Sequence, residues 1–248
     1  MTDSQPSIGT VGTSFEIIEG LNELGEAGIT ELAQYLDKSK SSVYKHLNSL
    51  LELGYVTKQD GRYKLGLAFF RLGYGIREAN RLYKAASAPL DNLAQTTGET
   101  VSLIVEEHGD AVCLYQASSR PEGIRTIRES ERVPPDSITA GKAILSGRST
   151  SEAIQLLDRQ HQDGQQAYSE LCSELGSIHE RQVLIERSPD ESDCNAVATP
   201  IYDGDDYAIG AIMVYGSPTN MAGKHLEEDI PGLLISTAKT IEVELATR

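Results

Sequence analysis

Residues 38–64 read KSKSSVYKHLNSLLELGYVTKQDGRYK, and the fold of the N-terminal part of the chain turns on this stretch. It is a basic island in an acidic protein. The 248 residues carry a formal net charge of −15, yet Lys38, Lys40, Lys45, Lys58, Arg62 and Lys64 here meet only Glu52 and Asp60. Such a local excess of positive charge attracts and registers a phosphate backbone. Ser39 is placed to cap a helix, Val43, Leu47, Leu50 and Leu51 form its apolar stripe, and Gly54 suits the position just past its end. The other face shows Lys40, Ser41, Ser42, Tyr44, Lys45 and Asn48, side chains that reach phosphates and base edges. His46 borders the stripe, as a packed ring or as a DNA contact. Two short strands follow, joined by Asp60-Gly61, the preferred type I′ hairpin turn. Lys58, Arg62 and Lys64 surround that turn, and Lys58 and Arg62 are placed to clamp the DNA backbone.

Working upstream, ITELAQYL (29–36) places Ile29, Leu32, Ala33 and Leu36 on one helical face, with Thr30 as its N-cap. Phe15, Ile17, Ile18, Leu21 and Leu24 predict a first helix over 13–26. Residues 1–66 therefore read as a winged helix-turn-helix domain. Downstream, Leu67, Phe70, Tyr74, Leu82 and Tyr83 recur through a linker helix over 67–84, a place where two copies can meet, and Pro89 marks the start of another helix. Residues 85–248 form a second domain. TVSLIVEEHGDAVCLYQAS and AVATPIYDGDDYAIGAIMVYG are two β-hairpins, turning at His108-Gly109-Asp110 and Asp203-Gly204-Asp205. Between them lie helical stretches at 141–145, 150–159 and 168–181 and a short strand at 183–187, and an amphipathic helix over 224–246 closes the chain. Antiparallel strands with helices packed on them make an α+β fold.

Composition narrows the function. No run of 18 apolar residues exists, so no membrane span is expected. The polar start MTDSQPSIGT is no signal peptide, and Cys113, Cys172 and Cys194 lie far apart without a CxxC, which together point to a reducing cytoplasm. Asp and Glu number 37 against 22 Lys and Arg, lysine is scarce and Trp is absent. This balance fits a salt-loaded cytoplasm such as a haloarchaeon's, with an ordinary acidic bacterial protein as the alternative. Enzyme motifs are missing. GKAIL lacks the P-loop glycine spacing and a Ser or Thr after Lys142, which is expected to pair locally; neither a Ser-His-Asp elbow nor an HExxH occurs. Cys194 with Asp193, His179 or Glu191 matches no strong metal-ligand pattern. We expect no catalysis, no metal and no cofactor.

The chain resembles the IclR family of transcription regulators. The resemblance is carried by SKSSVYKHLNSLLELGYV, DGRYKLG, APLDNLAQTTGETVSLIV, ITAGKAILSG and AVATPIYDGDDYAIGAIMVYG. It implies a GAF-like effector-binding domain, homodimers that pair into tetramers, palindromic operators in double-stranded promoter DNA, and a small-molecule effector such as an organic, sugar or aromatic acid. Carried onto this chain, the effector site comprises Thr139, Ala140 and Gly141, then Asp190 and Glu191, then Ala196, and finally Met213 and Tyr215. Family members that bind small carboxylates often have a cysteine at the place of Ala196 and serines at those of Met213 and Tyr215, so a less polar pocket is expected. Arg125 and Arg128 are candidates to neutralise an anionic effector or to serve at the surface. A second reading is an architectural DNA-binding protein whose C-terminal domain dimerises and binds no ligand.

Overall fold

The computed structural model describes residues 8–119, 126–158, 175–188 and 194–247. The chain forms two compact units, residues 1–79 and 80–248.

The first unit has helices α1 (Gly9–Leu24), α2 (Ile29–Tyr35) and α3 (Lys40–Glu52), a hairpin of β1 (Val56–Gln59) and β2 (Arg62–Leu65), and helix α4 (Ala68–Ala79). Its core joins Ile17 and Leu21 of α1, Leu32 and Ala33 of α2, Val43, Leu47 and Leu50 of α3, and Val56 and Tyr63 of the hairpin. The ends of α3 follow local chemistry. The Ser42 N–H donates to Ser39 Oγ at 3.2 Å. At the other end Gly54 sits at φ 77°, and the N–H groups of Gly54 and Tyr55 donate to the carbonyls of Leu51 and Leu50. That is a Schellman closure, which requires a left-handed residue at Gly54. Asp60 and Gly61 both have positive φ, as a type I′ turn demands. The hairpin is tied to the segment before α2, because the backbones of Ala27 and Tyr63 exchange hydrogen bonds of 2.9 and 2.8 Å.

Several local expectations differ. Helix α2 is capped at Gly28 rather than Thr30, with the Gly28 N–H donating to the Glu31 carboxylate at 3.3 Å. Leu51 is 37% exposed, so the buried stripe of α3 is Val43, Leu47 and Leu50 alone. A residue four positions after Leu47 lies about 40° further around the helix, and the core is too narrow to cover it. The helix expected over 67–84 is two: Asn80 ends α4 and caps α5 (Arg81–Thr97), its side chain accepting from the Tyr83 N–H at 3.0 Å. Pro89 starts nothing; it lies inside α5, where Ala85, Ala86, Leu90 and Leu93 hold the helix against the sheet through the missing bond.

The second unit is a six-stranded antiparallel sheet in the order β5-β4-β3-β8-β7-β6. The strands are β3 (Thr100–Glu107), β4 (Asp110–Ser118), β5 (Arg132–Val133), β6 (Leu184–Glu186), β7 (Asn195–Tyr202) and β8 (Ala208–Gly216). Helix α5 and the last helix, α8 (Ile230–Thr247, preceded by a π-turn over His225–Asp229), cover one face through Leu90, Leu93, Leu234 and Ile241. Helix α6 (Thr139–Ser146) covers the other, through Ala140, Ala143 and Ile144. Helix α7 (Thr150–Asp158) and a helical stretch over 175–181 form a smaller cluster beside α6. Both expected hairpins are present, and the fold is α+β.

Leu47→Ala is expected to lower the unfolding free energy by about 2–5 kcal/mol. Leu51→Ala should cost no more than about 1 kcal/mol. Urea titration followed by circular dichroism reads both, and equal losses would show that Leu51 belongs to the core.

Candidate DNA-contacting face and effector-binding face

On α3, Ser41, Lys45 and Asn48 follow one another at spacings of four and three and lie opposite the Val43–Leu47–Leu50 stripe. Lys40, Ser41, Tyr44 and Lys45 are exposed; Ser42 and Asn48 are half-buried. Among the described residues Lys40 and Lys45 make no ion pair. His46 is half-buried on the flank, its Nδ1 2.8 Å from Ser14 Oγ on α1, so that ring nitrogen serves helix packing.

The cations divide into two kinds. Lys38 pairs with Glu16 at 2.6 Å. Arg62 is drawn inward: Nε lies 2.8 Å from Glu26 Oε1, and Nη2 donates to the Glu26 carbonyl at 2.8 Å and to Glu31 Oε2 at 3.1 Å. It fastens the wing to the α1–α2 corner. Lys58 lies over the Tyr63 ring, 5.0 Å from its centroid. Lys64 pairs across the hairpin with Thr57 and Lys58 with Tyr63, which puts the two lysines on opposite faces of the wing.

In the second unit, the α6 side of the sheet is built in rows. Glu186, Ala196, Tyr215 and Thr100 are successive cross-strand neighbours, and beside them run Leu184, Ala198, Met213, Ser102 and Gln116. Ala140, Ala196, Met213 and Tyr215 share one buried core, and Thr139 and Gly141 are buried on α6 above it. Six of the eight expected effector residues thus come together; Asp190 and Glu191 lie outside the described residues, as does Arg125. Gly141 is required by close packing, since a Cβ there would lie 2.1 Å from the Pro135 carbonyl oxygen.

The floor is less apolar than its strand residues indicate. Gln116 Nε2 donates to the Tyr215 hydroxyl at 2.7 Å, the Ile127 carbonyl at 2.9 Å and Ser102 Oγ at 3.2 Å. Glu186 anchors the start of α6: it accepts from Thr139 Oγ1 at 2.5 Å and pairs with Lys142. Lys142 therefore pairs across 44 residues of sequence and not locally. Arg128 is exposed, its backbone N–H donating to Glu131. His179 and Cys194 have separate partners, the Ser146 carbonyl and Thr126 Oγ1. Among the described residues no group of His, Cys, Asp and Glu could hold a metal, and no helix is long and apolar enough to cross a membrane.

Residues 11–60 match the IclR helix-turn-helix domain, and residues 77–243 match the bacterial transcriptional regulator IclR C-terminal domain. The chain belongs to the IclR family. It is a DNA-binding transcription regulator of that type. The transcriptional regulator KdgR of Escherichia coli is 26% identical over 251 residues, 98% of this chain and 95% of that protein. The protein described as probable HTH-type transcriptional regulator ArcR of Halobacterium salinarum is 25% identical over 252 residues, 97% of this chain and 95% of that one. These relatives are regulators, not enzymes. Two solved structures share the fold. The Thermotoga maritima IclR superposes with a TM-score of 0.77 at 23% identity, covering 96% of this chain and 98% of that one. An IclR homologue from Microbacterium hydrocarbonoxydans, complexed with 4-hydroxybenzoate, gives 0.81 at 18% identity, covering 96% and 100%.

For this IclR-family chain, sequence reasoning missed Ser102, Gln116 and Glu186. The signal was there for two of them, since each is polar in a strand otherwise rich in apolar residues. Cys113 was passed over as well. It lies beneath the same face, and burial pushes its thiol up to about 12, with Ser102 opposing through a hydrogen bond.

The folded thiol is expected to stay protonated, and unreactive to maleimide, at pH 9.0, its ordinary pKa. Because the folded pKa is the higher, the stability it contributes is complete below pH 9.0 and falls as pH rises towards 12. Mass-spectrometric mapping of the labelled native protein reads this, and rapid labelling of Cys113 would contradict the burial.

Proposed function

We propose that this regulator binds palindromic operators in promoter DNA as a homodimer, or as a pair of dimers, under the control of a small organic acid. The observation that carries the reading is the unpaired face of α3, with its bonded caps and rigid packing behind, next to a wing that holds two lysines clear of ion pairs. Lys40, Ser41, Ser42, Tyr44, Lys45 and Asn48 contact the major groove, and Lys58 and Lys64 meet the backbone. His46 and Arg62 support that face by holding α3 to α1 and the wing to α2.

Residues 1–66 serve as the DNA-binding domain, 67–84 as the link between the parts and 85–248 as the effector domain. Helix α4 buries none of its residues; Phe70, 71% exposed, and the exposed Tyr74 lie on one face with ring centroids 6.2 Å apart. A second copy of the chain covers that stripe, as a two-fold dimer requires. In the GAF-like domain, Thr139, Ala140 and Gly141 offer a helix N-terminus to an anion, and Ala196 and Met213 offer an apolar bed. The Tyr215 hydroxyl and Gln116 supply polar contacts, and Asp190 and Glu191 border the site. The homologue that holds 4-hydroxybenzoate supports an aromatic acid as one ligand class. The acidic composition and the Halobacterium relative support work in a cytoplasm at high salt, in an archaeal halophile.

Genome-wide occupancy in cells grown on several carbon sources tests the whole reading. A few sharp palindromic sites that change with carbon source are expected; broad, source-independent coverage would point instead to an architectural role. Lys45→Ala should weaken operator binding by roughly 5- to 150-fold, the range for one lost base or phosphate contact, without unfolding the protein. An unchanged gel-shift titration would move the recognition face elsewhere. Phe70→Asp with Tyr74→Asp should convert a dimer to a monomer in light scattering, and an unchanged mass would remove that face of α4 from the interface.

A further inference from the structure

Helix α3 presents side chains that the folded chain itself does not use. Successive helical residues turn by about 100°, so Ser41, Lys45 and Asn48 fall within about 60° of one another, on the side away from Val43, Leu47 and Leu50. Lys45 is exposed and makes no ion pair among the described residues. Asn48 is half-buried beside the fully buried Leu47, which holds that turn of the helix against the core. Its amide makes no hydrogen bond among the described residues, yet neither amide atom is sealed from solvent. Ser49, by contrast, is committed to the helix, its Oγ donating to the Lys45 carbonyl at 3.2 Å. Glu52 follows one turn after Asn48 and is exposed. A carboxylate there repels phosphates, which limits the face open to DNA to the part of α3 before it.

A free amide and a free ammonium suit different bases. In the major groove adenine shows a donor, N6–H, beside an acceptor, N7; an asparagine matches it, Oδ1 accepting from N6 and Nδ2 donating to N7. Guanine shows two acceptors, N7 and O6, which leave an amide oxygen unsatisfied but take two donors from an ammonium. Position decides between base and phosphate. Lys45 and Asn48 straddle the direction that points straight away from the core, so they meet the floor of a groove, whereas residues on the flanks of the helix meet its walls. Three residues apart, the two lie about 4.5 Å from each other along the helix axis, close to the ~3.4 Å rise of one base pair. Adjacent base pairs are therefore within their joint reach.

We propose that each operator half-site holds an A·T pair next to a G·C pair, with Asn48 reading the adenine and Lys45 the guanine. This rests on α3 being the recognition helix and adds to that reading the identity of two bases. The short Asn48 side chain cannot extend, so α3 lies deepest in the groove at that turn, and the longer Lys45 stem reaches its base from further out. Ser41, whose hydroxyl both donates and accepts, fixes no base.

Selection of binding sites from a pool of random-sequence duplexes, with the full chain at constant salt, tests the assignment. The wild type is expected to enrich half-sites with the adjacent A·T and G·C pairs. Asn48→Ala should lose the preference at the A·T position alone, by roughly 5- to 150-fold, the scale of one bidentate contact, and Lys45→Ala should do the same at the G·C position. Three results would overturn the proposal and leave α3 as the recognition helix: enriched sites without that pair of bases, an unmoved A·T preference in Asn48→Ala, or a Lys45→Ala protein weakened alike on every sequence. A pool with no enrichment at all removes the recognition-helix reading and this one with it. Should either variant fail to fold, the wild type is titrated with selected duplexes carrying 7-deazaadenine or 7-deazaguanine at the single position, which lack the N7 acceptor. Weaker binding to each is expected, and equal binding overturns the proposal.

Discussion

Strand β8 serves two cores at once, and the C-terminal unit depends on that double duty. Ile212 and Val214 face the α5–α8 layer, while Ala211, Met213 and Tyr215 face α6, and all five are fully buried. A sheet covered on both faces loses the polar-apolar alternation of a half-exposed one. It also fixes register tightly, because a slip of one residue would exchange the contents of the two cores. The face that carries Ala196, Met213 and Tyr215 is therefore part of a core, and polar groups there must be satisfied internally. The Gln116 amide does this by bonding at once to Ser102, Ile127 and Tyr215. The same three bonds place a hydroxyl and an amide where a ligand in that core would meet them.

In the N-terminal unit the governing constraint is charge. Six cations lie between residues 38 and 64, but Lys38 and Arg62 are engaged by Glu16, Glu26 and Glu31. Those pairs are exposed, and pairs of that kind contribute little individually and less in salt. They join the turn before α3 to α1, and the wing to the α1–α2 corner. Among the described residues Lys40, Lys45, Lys58 and Lys64 make no ion pair. On the reading proposed above, so few cations leave more of the recognition to hydroxyl, amide and aromatic contacts from Ser41, Tyr44 and Asn48.

The elements legible in the sequence are those fixed by chemistry within a few residues. Ser39, Gly54, Asp60-Gly61 and His108-Gly109 each act through a cap or a positive φ that the chain needs at that point. Hence the helix-turn-helix, the wing and both hairpins could be placed in advance. That the named residues of α6, β7 and β8 come together was legible, because they lie in contiguous runs. Ser102, Gln116 and Glu186 were not, since each meets its partner only through the sheet register or the docking of α6.

By itself, then, the sequence determined the fold class, the order of elements and the face of α3 that stays polar, because capping, turn conformation and helical period are local. Tertiary structure alone decided which leucine of α3 is buried, that α5 runs through Pro89, that Arg62 turns to the carboxylates of the α1–α2 corner, and that Arg148 is buried beside a cavity. Each of these depends on how much neighbouring surface arrives from distant parts of the chain. Arg62 and Arg148 look alike in sequence in that each directly follows a glycine. One is exposed with three partners and the other buried with two unused donors, a difference set by packing and desolvation rather than by residue type.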